Sequence, residues 1–154
     1  MIAMANITKR VNKRAASLLD GEAAEVALLV EPKGTFAAGG VVTALVPRLQ
    51  MRRTAEKAAD ANRQQGGVAA GFPARAAVVA VTPTRIVAIE SNGLTFKRLD
   101  FEAPRAEVRL ISSEGKGLGR RLTIGFGDGS EVVVDAQRGQ PHARFADVLG
   151  GPAD

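Results

Sequence analysis

From Ala76 to Ala136 the chain is a succession of short segments that alternate apolar and polar residues or run apolar throughout, and one helical pattern follows from Pro141. Alternation marks a half-buried strand, whereas an unbroken apolar run marks a strand buried on both faces. This order predicts a curved antiparallel sheet closed off by a helix, a scaffold that binds more often than it catalyses. Ala76 to Val81 and Arg85 to Ile89 read as central strands, separated by Thr82-Pro83. Ser91-Asn92-Gly93 is a hairpin signal, because Asn and Gly tolerate the positive φ of tight turns. Leu94 to Phe101 is the returning strand. Its alternation breaks between Lys97 and Arg98, so Phe96 and Leu99 share a face only if the strand is bulged there.

Three more strands follow. Ala106, Val108 and Leu110 alternate with charged residues, Leu122, Ile124 and Phe126 form the next apolar face, and Asp128-Gly129 turns the chain into Val132 and Val134. Phe145, Val148 and Leu149 share one face of the last helix, with Pro141 in its first turn and Gly150 at its stop. Upstream, Glu25 to Glu31 carries Val26, Leu28 and Val30 on one face, bringing the strand count to seven. Ile7, Val11, Ala15, Leu18 and Leu19 fall at helical spacing, with Lys9, Arg10, Lys13 and Arg14 on the remaining surface. This basic amphipathic helix, residues 1–22, is expected to pack its apolar side on the sheet; a role at a membrane or on an acidic partner is the alternative.

The segment between the first two strands is far longer than an ordinary strand connection. Residues 34–75 are expected to be a partly helical insertion. Thr35 to Val46 is free of charge, but a helix of that length spans only ~18 Å, and a bilayer core needs roughly 30 Å. Phe36, Val42, Leu45 and Leu49 belong to its apolar flank, and Arg48, Arg52, Arg53 and Lys57 follow at once. One reading is a segment lying in an anionic membrane interface, where apolar insertion and headgroup attraction add. The other is a helix folded back on the sheet or into a self-association interface, with its arginines at the helix C-terminal end, where the dipole favours them. Thr54 to Gln65 reads as a helix extension, and Gly66-Gly67 and Gly71-Phe72-Pro73 as the return.

Charge follows the same division. Residues 1–75 carry 11 Lys and Arg against 6 Asp and Glu, and residues 76–154 carry 10 against 10, so the formal +5 lies in the front half. A localised positive field attracts phosphate on lipid or on nucleic acid. Nucleic acid is the weaker expectation, because the chain has no Trp or Tyr to stack bases. With no cysteine and one histidine, a Cys-His pair or a histidine-based metal site is excluded; no cofactor and no metal are expected. His142 reads as a surface residue, Asp128, Glu131 and Asp135 as solvated carboxylates, and the glycines around Lys116 as a hairpin loop, not a phosphate loop. The absence of cysteine and of a secretory apolar core near Ile7 points to a cytoplasmic protein.

Seven strands followed by one helix resembles the pleckstrin-homology-like (PH-like) domains, and Val78 to Ser91 is similar to the paired second and third strands of bacterial members. Phe126 to Ala136 is similar to their last hairpin, and the Phe145 helix to the one that plugs their sheet. The resemblance covers residues 23–151, interrupted by the insertion, and implies a seven-stranded barrel or sandwich capped by the C-terminal helix. It implies binding of phosphoinositides, peptides or proteins, without catalysis. Only Lys33 stands where the lipid-binding members begin their basic loop, so inositol-phosphate recognition is not implied. The expected function is a noncatalytic interaction module, peripheral to the membrane's inner face or protein-binding, that makes contact through the insertion. The alternative is a homo-oligomeric assembly factor or nonspecific nucleic-acid binder using the basic front half.

Overall fold

A computed structural model describes residues 7–33, 47–116 and 119–151, with the backbone path alone for 47–55 and Lys116. Helix α1 (Ile7–Arg14) is followed by a 3₁₀ turn (Ala16–Leu19) and strand β1 (Val26–Pro32). Helix α2 (Pro47–Gln65) and a second 3₁₀ turn (Val68–Gly71) lead to β2 (Ala77–Val81), β3 (Arg85–Ser91) and β4 (Phe96–Pro104). A short turn (Arg105–Glu107), β5 (Val108–Lys116), β6 (Gly119–Phe126), β7 (Glu131–Gln137) and α3 (His142–Leu149) complete the order. The protein is therefore mainly β, with seven antiparallel strands and a C-terminal helix.

The strands form one sheet in the order β4-β3-β2-β1-β7-β6-β5. Of the barrel or sandwich expected, the sheet does not close into a barrel, because β4 and β5 are the two ends of this order and do not pair with each other. Aromatic packing draws the ends together in place of a hydrogen-bonded seam. Phe101 of β4 lies 5.1 Å, centroid to centroid, from Phe72, which follows α2, and 5.6 Å from Phe126 of β6.

Both faces of the first half-sheet are covered, which explains its unbroken apolar runs. On the inner face Val26, Leu28 and Val30 of β1 join Val79, Val81, Ile86, Leu122, Ile124 and Val134 in one core, sealed by Phe145, Ala146 and Leu149 of α3. On the outer face Ala27, Val78, Ala80, Val87 and Ile89 pack against Ile7, Val11, Ala15 and Leu19. Thus α1 buries its apolar stripe on the sheet. Along β4 the register slips on either side of the Ile89–Leu99 pair, and the resulting bulge lets Phe96 and Leu99 both reach that outer cluster. Helix α3 ends at Gly150 (φ +71°), where Gly151 N–H donates to Ala146 O at 2.9 Å.

The join between the half-sheets is short. β1 meets β7 only through Val30–Ala136, Glu31–Asp135 and Pro32–Val134. Backbone groups of alternate residues point to the same strand edge, so on β1 the edge bearing Glu31 continues through Leu29 and Ala27, beyond the reach of β7. Side chains take over there. Gln140 accepts from Leu29 N–H (2.7 Å) and donates to Leu29 O (2.9 Å), and Thr8 Oγ1 accepts from Ala27 N–H (3.0 Å). At the opposite end β7 outruns β1, and Gln65 accepts from Glu131 N–H while donating to Glu131 O, both at 2.6 Å. Asn12 makes the same two-point contact with Ala24, at 2.7 and 3.1 Å, and so fixes α1 to the chain entering β1. In each case an amide side chain imitates a neighbouring strand.

Gln140 is buried whereas Gln65 is exposed, so the two caps should differ in weight. Gln140→Ala should lower unfolding stability by about 1–3 kcal/mol, because Leu29 loses partners that water replaces poorly. Gln65→Ala should stay within about 0.5 kcal/mol of wild type. Urea titrations of both variants test this contrast.

Candidate functional site

Where β1 and β7 part, α2 covers the gap and leaves a cleft of about 720 Å³. Its helix wall is Lys57, Ala58, Ala61, Asn62 and Gln65, and its sheet wall is Lys33, Glu131 and Val133. The small side chains of Ala58 and Ala61 keep the helix wall open. Lys33 and Lys57 carry positive charge at its border, and neither is in an ion pair among the described residues.

The C-terminal end of α2 is fastened tightly. Gly66 (φ +74°) and Gly67 (φ +66°) reverse the chain in a conformation that L side chains resist. Asp128 then holds the 3₁₀ turn that follows: Val68 N–H donates to its Oδ2 at 2.8 Å, and Ser130 donates to its Oδ1 through Oγ (2.6 Å) and N–H (2.9 Å). The Ser130 hydroxyl and then the Val68 amide hold the Asp128 carboxyl below its ordinary range. Ala69 N–H donates to Ser130 Oγ at 3.1 Å. Asp128 is thus exposed, as the sequence suggested, and in addition a structural strap for the insertion.

Asp135 departs from that expectation. It is buried and accepts from both Arg121 Nε (2.9 Å) and Nη2 (3.2 Å). Asp128 and Glu131 are both exposed, so Asp135 alone of the three is buried. Opposite Asp135 stands Glu31, whose carboxyl is pushed up by burial and by the neighbouring Asp135 charge.

The insertion residues expected to make contact divide into two groups. Phe36, Val42 and Leu45 lie outside the described residues. Arg48, Leu49, Arg52 and Arg53 fall in the first two turns of α2, which starts at Pro47, ahead of the Thr54 start of the expected helix extension. This corrects the placement of the arginines at a helix C-terminal end. Arg48 lies in the first turn, where the macrodipole is positive and cations are disfavoured, with no acidic residue there to offset it, and Arg52 and Arg53 follow in the second turn. The missed signal is Pro47, whose fixed φ and missing N–H suit a first helical position.

On α1, Lys9, Lys13 and Arg14 are exposed, whereas Arg10 is half-buried and donates to Gly93 O at 2.8 Å. The secondary basic surface therefore keeps three free cations, and Arg10 serves as a brace. His142 is likewise not the surface residue expected. It is half-buried, with Nε2 3.2 Å from Gln137 O and Nδ1 buried without a partner. Burial pushes its imidazole below the ordinary value, against the smaller effect of the Gln137 carbonyl. Among the described residues no three His, Asp or Glu converge as a metal site, and no helix is long and apolar enough to cross a membrane.

No family model, no curated protein and no solved structure matches the chain.

Two titrations follow. Glu31 is raised in the fold, so its contribution is favourable below the unfolded carboxylate value and is lost as pH rises through the folded one. Glu31→Gln should therefore raise the melting temperature at pH 7, and the gain should vanish as pH falls through the carboxylate range. His142 is lowered, so its contribution is present above the unfolded value of about 6.5 and is lost as pH falls below it. His142→Gln, whose amide also donates to a carbonyl, should flatten the loss of stability between pH 7 and pH 5. Thermal melts across pH check both.

Proposed function

We propose that this protein is a noncatalytic interaction module of PH-like architecture that attaches to an anionic membrane surface through its insertion. The antiparallel order, four strands then three, with α3 on the inner face, supports the architecture. The observation that carries the membrane reading is the position of Arg48, Arg52 and Arg53 in the N-terminal half of α2. Positive charge near a helix N-terminus is intrinsically unfavourable, most of all for Arg48 in the first turn, and an external anion offsets it. The uncharged run 35–46 leads directly into these arginines, which places apolar and cationic groups next to each other along the chain, the combination that anionic interfaces retain.

The anchoring of α2 is consistent with this role. Gln65 and Asn62 tie its C-terminal end to Glu131 and to Phe72 O. The scaffold thus presents the helix from one end, and no catalytic chemistry is required of it. The protein acts at the inner face of the membrane, with the sheet as a rigid mount.

Sedimentation with vesicles of phosphatidylcholine containing phosphatidylserine tests the proposal. Wild type should pellet at low salt and release as salt rises, because screening weakens each cation's attraction. Replacing Arg48, Arg52 and Arg53 together by Ala should weaken binding about 100-fold, at ~1 kcal/mol per cation. Wild type remaining in the supernatant, or undiminished pelleting by a folded Val42→Asp/Leu45→Asp double variant, would sink the reading.

A further inference from the structure

Leu94 is the most exposed large apolar side chain among the described residues, at 58%. It sits beside the β3–β4 turn, and that turn is rigidly built. Asn92 Oδ1 accepts from Leu94 N–H (2.9 Å) and Thr95 N–H (3.1 Å). Ser91 Oγ accepts from Gly93 N–H (2.9 Å) and donates to Thr95 O (2.6 Å). Gly93 has φ +95°, which only glycine adopts freely. From the side, the Arg10 guanidinium braces Gly93 O. The leucine is therefore held out by hydrogen bonds on both sides of it, where a polar residue would serve folding equally well.

Its surroundings are basic. The Arg10 contact joins the tip to α1, where Lys9, Lys13 and Arg14 are exposed and make no ion pair among the described residues. Lys97, farther along β4, is also exposed and without a carboxylate partner, whereas its neighbour Arg98 is engaged by Glu90 and Asp100. A rigid apolar tip beside uncompensated cations has the chemistry of an interfacial anchor: cations meet headgroup phosphates while the leucine enters the acyl boundary. Nucleic acid would leave Leu94 idle, since phosphate contacts need no apolar tip and the patch has no aromatic ring for stacking.

We infer that the β3–β4 tip and the outer stripe of α1 form a second membrane contact, with Leu94 inserting among anionic lipid headgroups and Lys9, Lys13 and Arg14 binding their phosphates. The inference rests on the membrane reading for its partner class, but on no residue of the insertion.

The chain has no tryptophan, so Leu94→Trp creates a single fluorescent reporter at the tip. Its emission should shift to the blue on phosphatidylserine-containing vesicles and stay unshifted on pure phosphatidylcholine. Replacing Lys9, Lys13 and Arg14 by Ala in this background should weaken vesicle affinity about fivefold per cation. Leu94→Asp should reduce pelleting while leaving the melting temperature at its wild-type value, because the side chain is solvated in the free protein. Unshifted emission while the same protein pellets would overturn the second contact and leave the insertion reading standing. A blue shift that persists when Val42→Asp/Leu45→Asp leaves pelleting unchanged would support the tip and remove the insertion. Pelleting unaffected by Leu94→Asp, an equal shift on neutral vesicles, or a shift produced by duplex DNA alone would overturn it as well.

Discussion

Two half-sheets are held together by three residue pairs between β1 and β7, and every other element is arranged around that narrow join. A strand edge that outruns its partner exposes unpaired donors and acceptors. Here both overhanging edges are finished by glutamine, Gln140 on Leu29 and Gln65 on Glu131. A glutamine amide offers one donor and one acceptor spaced like a peptide group, so a single side chain satisfies a position that otherwise needs a strand. The consequence extends beyond stability. Gln140 introduces α3, which seals the inner core, and Gln65 ends α2, which opens the cleft. The helix that follows β1 directly and the helix at the far end of the chain are thereby registered against the same seam.

That arrangement also explains how the protein carries a helix whose charges oppose its own dipole. The 3₁₀ turn after α2 is held by Asp128 and Ser130, and Phe72 enters the aromatic contact with Phe101. Among the described residues, the attachments of α2 are concentrated at its C-terminal end, through Gln65 and Asn62. The outer surface of α1 is treated in a similar way: three of its four cations are left unpaired, and one is spent on the hairpin. Among the described residues, Lys9, Lys13 and Arg14 thus stay exposed and without an ion pair, whereas the Arg121–Asp135 pair in the back half is consumed internally.

Much of the fold was legible because burial on a sheet imposes a period. The two unbroken apolar strands, the bulge between Phe96 and Leu99, and the terminal helix from Pro141 to Gly150 all follow from which faces must be dry. The open edges were not legible. Closure depends on whether β4 reaches β5, and the Phe72, Phe101 and Phe126 contact that takes the place of a ladder has no period in the chain. Amide caps such as Gln140 leave no pattern either, since an isolated glutamine looks the same in a loop or on a strand edge. Asp135 was misread as solvated for a related reason, since its partner Arg121 is chosen by tertiary proximity, and the strap that the exposed Asp128 makes to Val68 left no pattern either. Of the residues proposed to make contact, the sequence indicated Arg48, Arg52 and Arg53 but assigned them to the other end of a helix. Leu94 was read only as the start of a strand, because exposure is decided by the turn's hydrogen bonds.

The insertion leaves from β1 and returns into β2, and Val30 is paired directly with Ala77 across those strands. Departure and re-entry are therefore neighbours within an already zipped ladder. Closing a loop costs an entropy that grows only logarithmically with its length, so the excursion is free to lengthen, shorten or be exchanged while the sheet beneath it keeps its register. The scaffold behaves as a socket. Evolution or an engineer can graft a different attachment there, and the mount will accept it as long as the segment brings back an aromatic ring for Phe101.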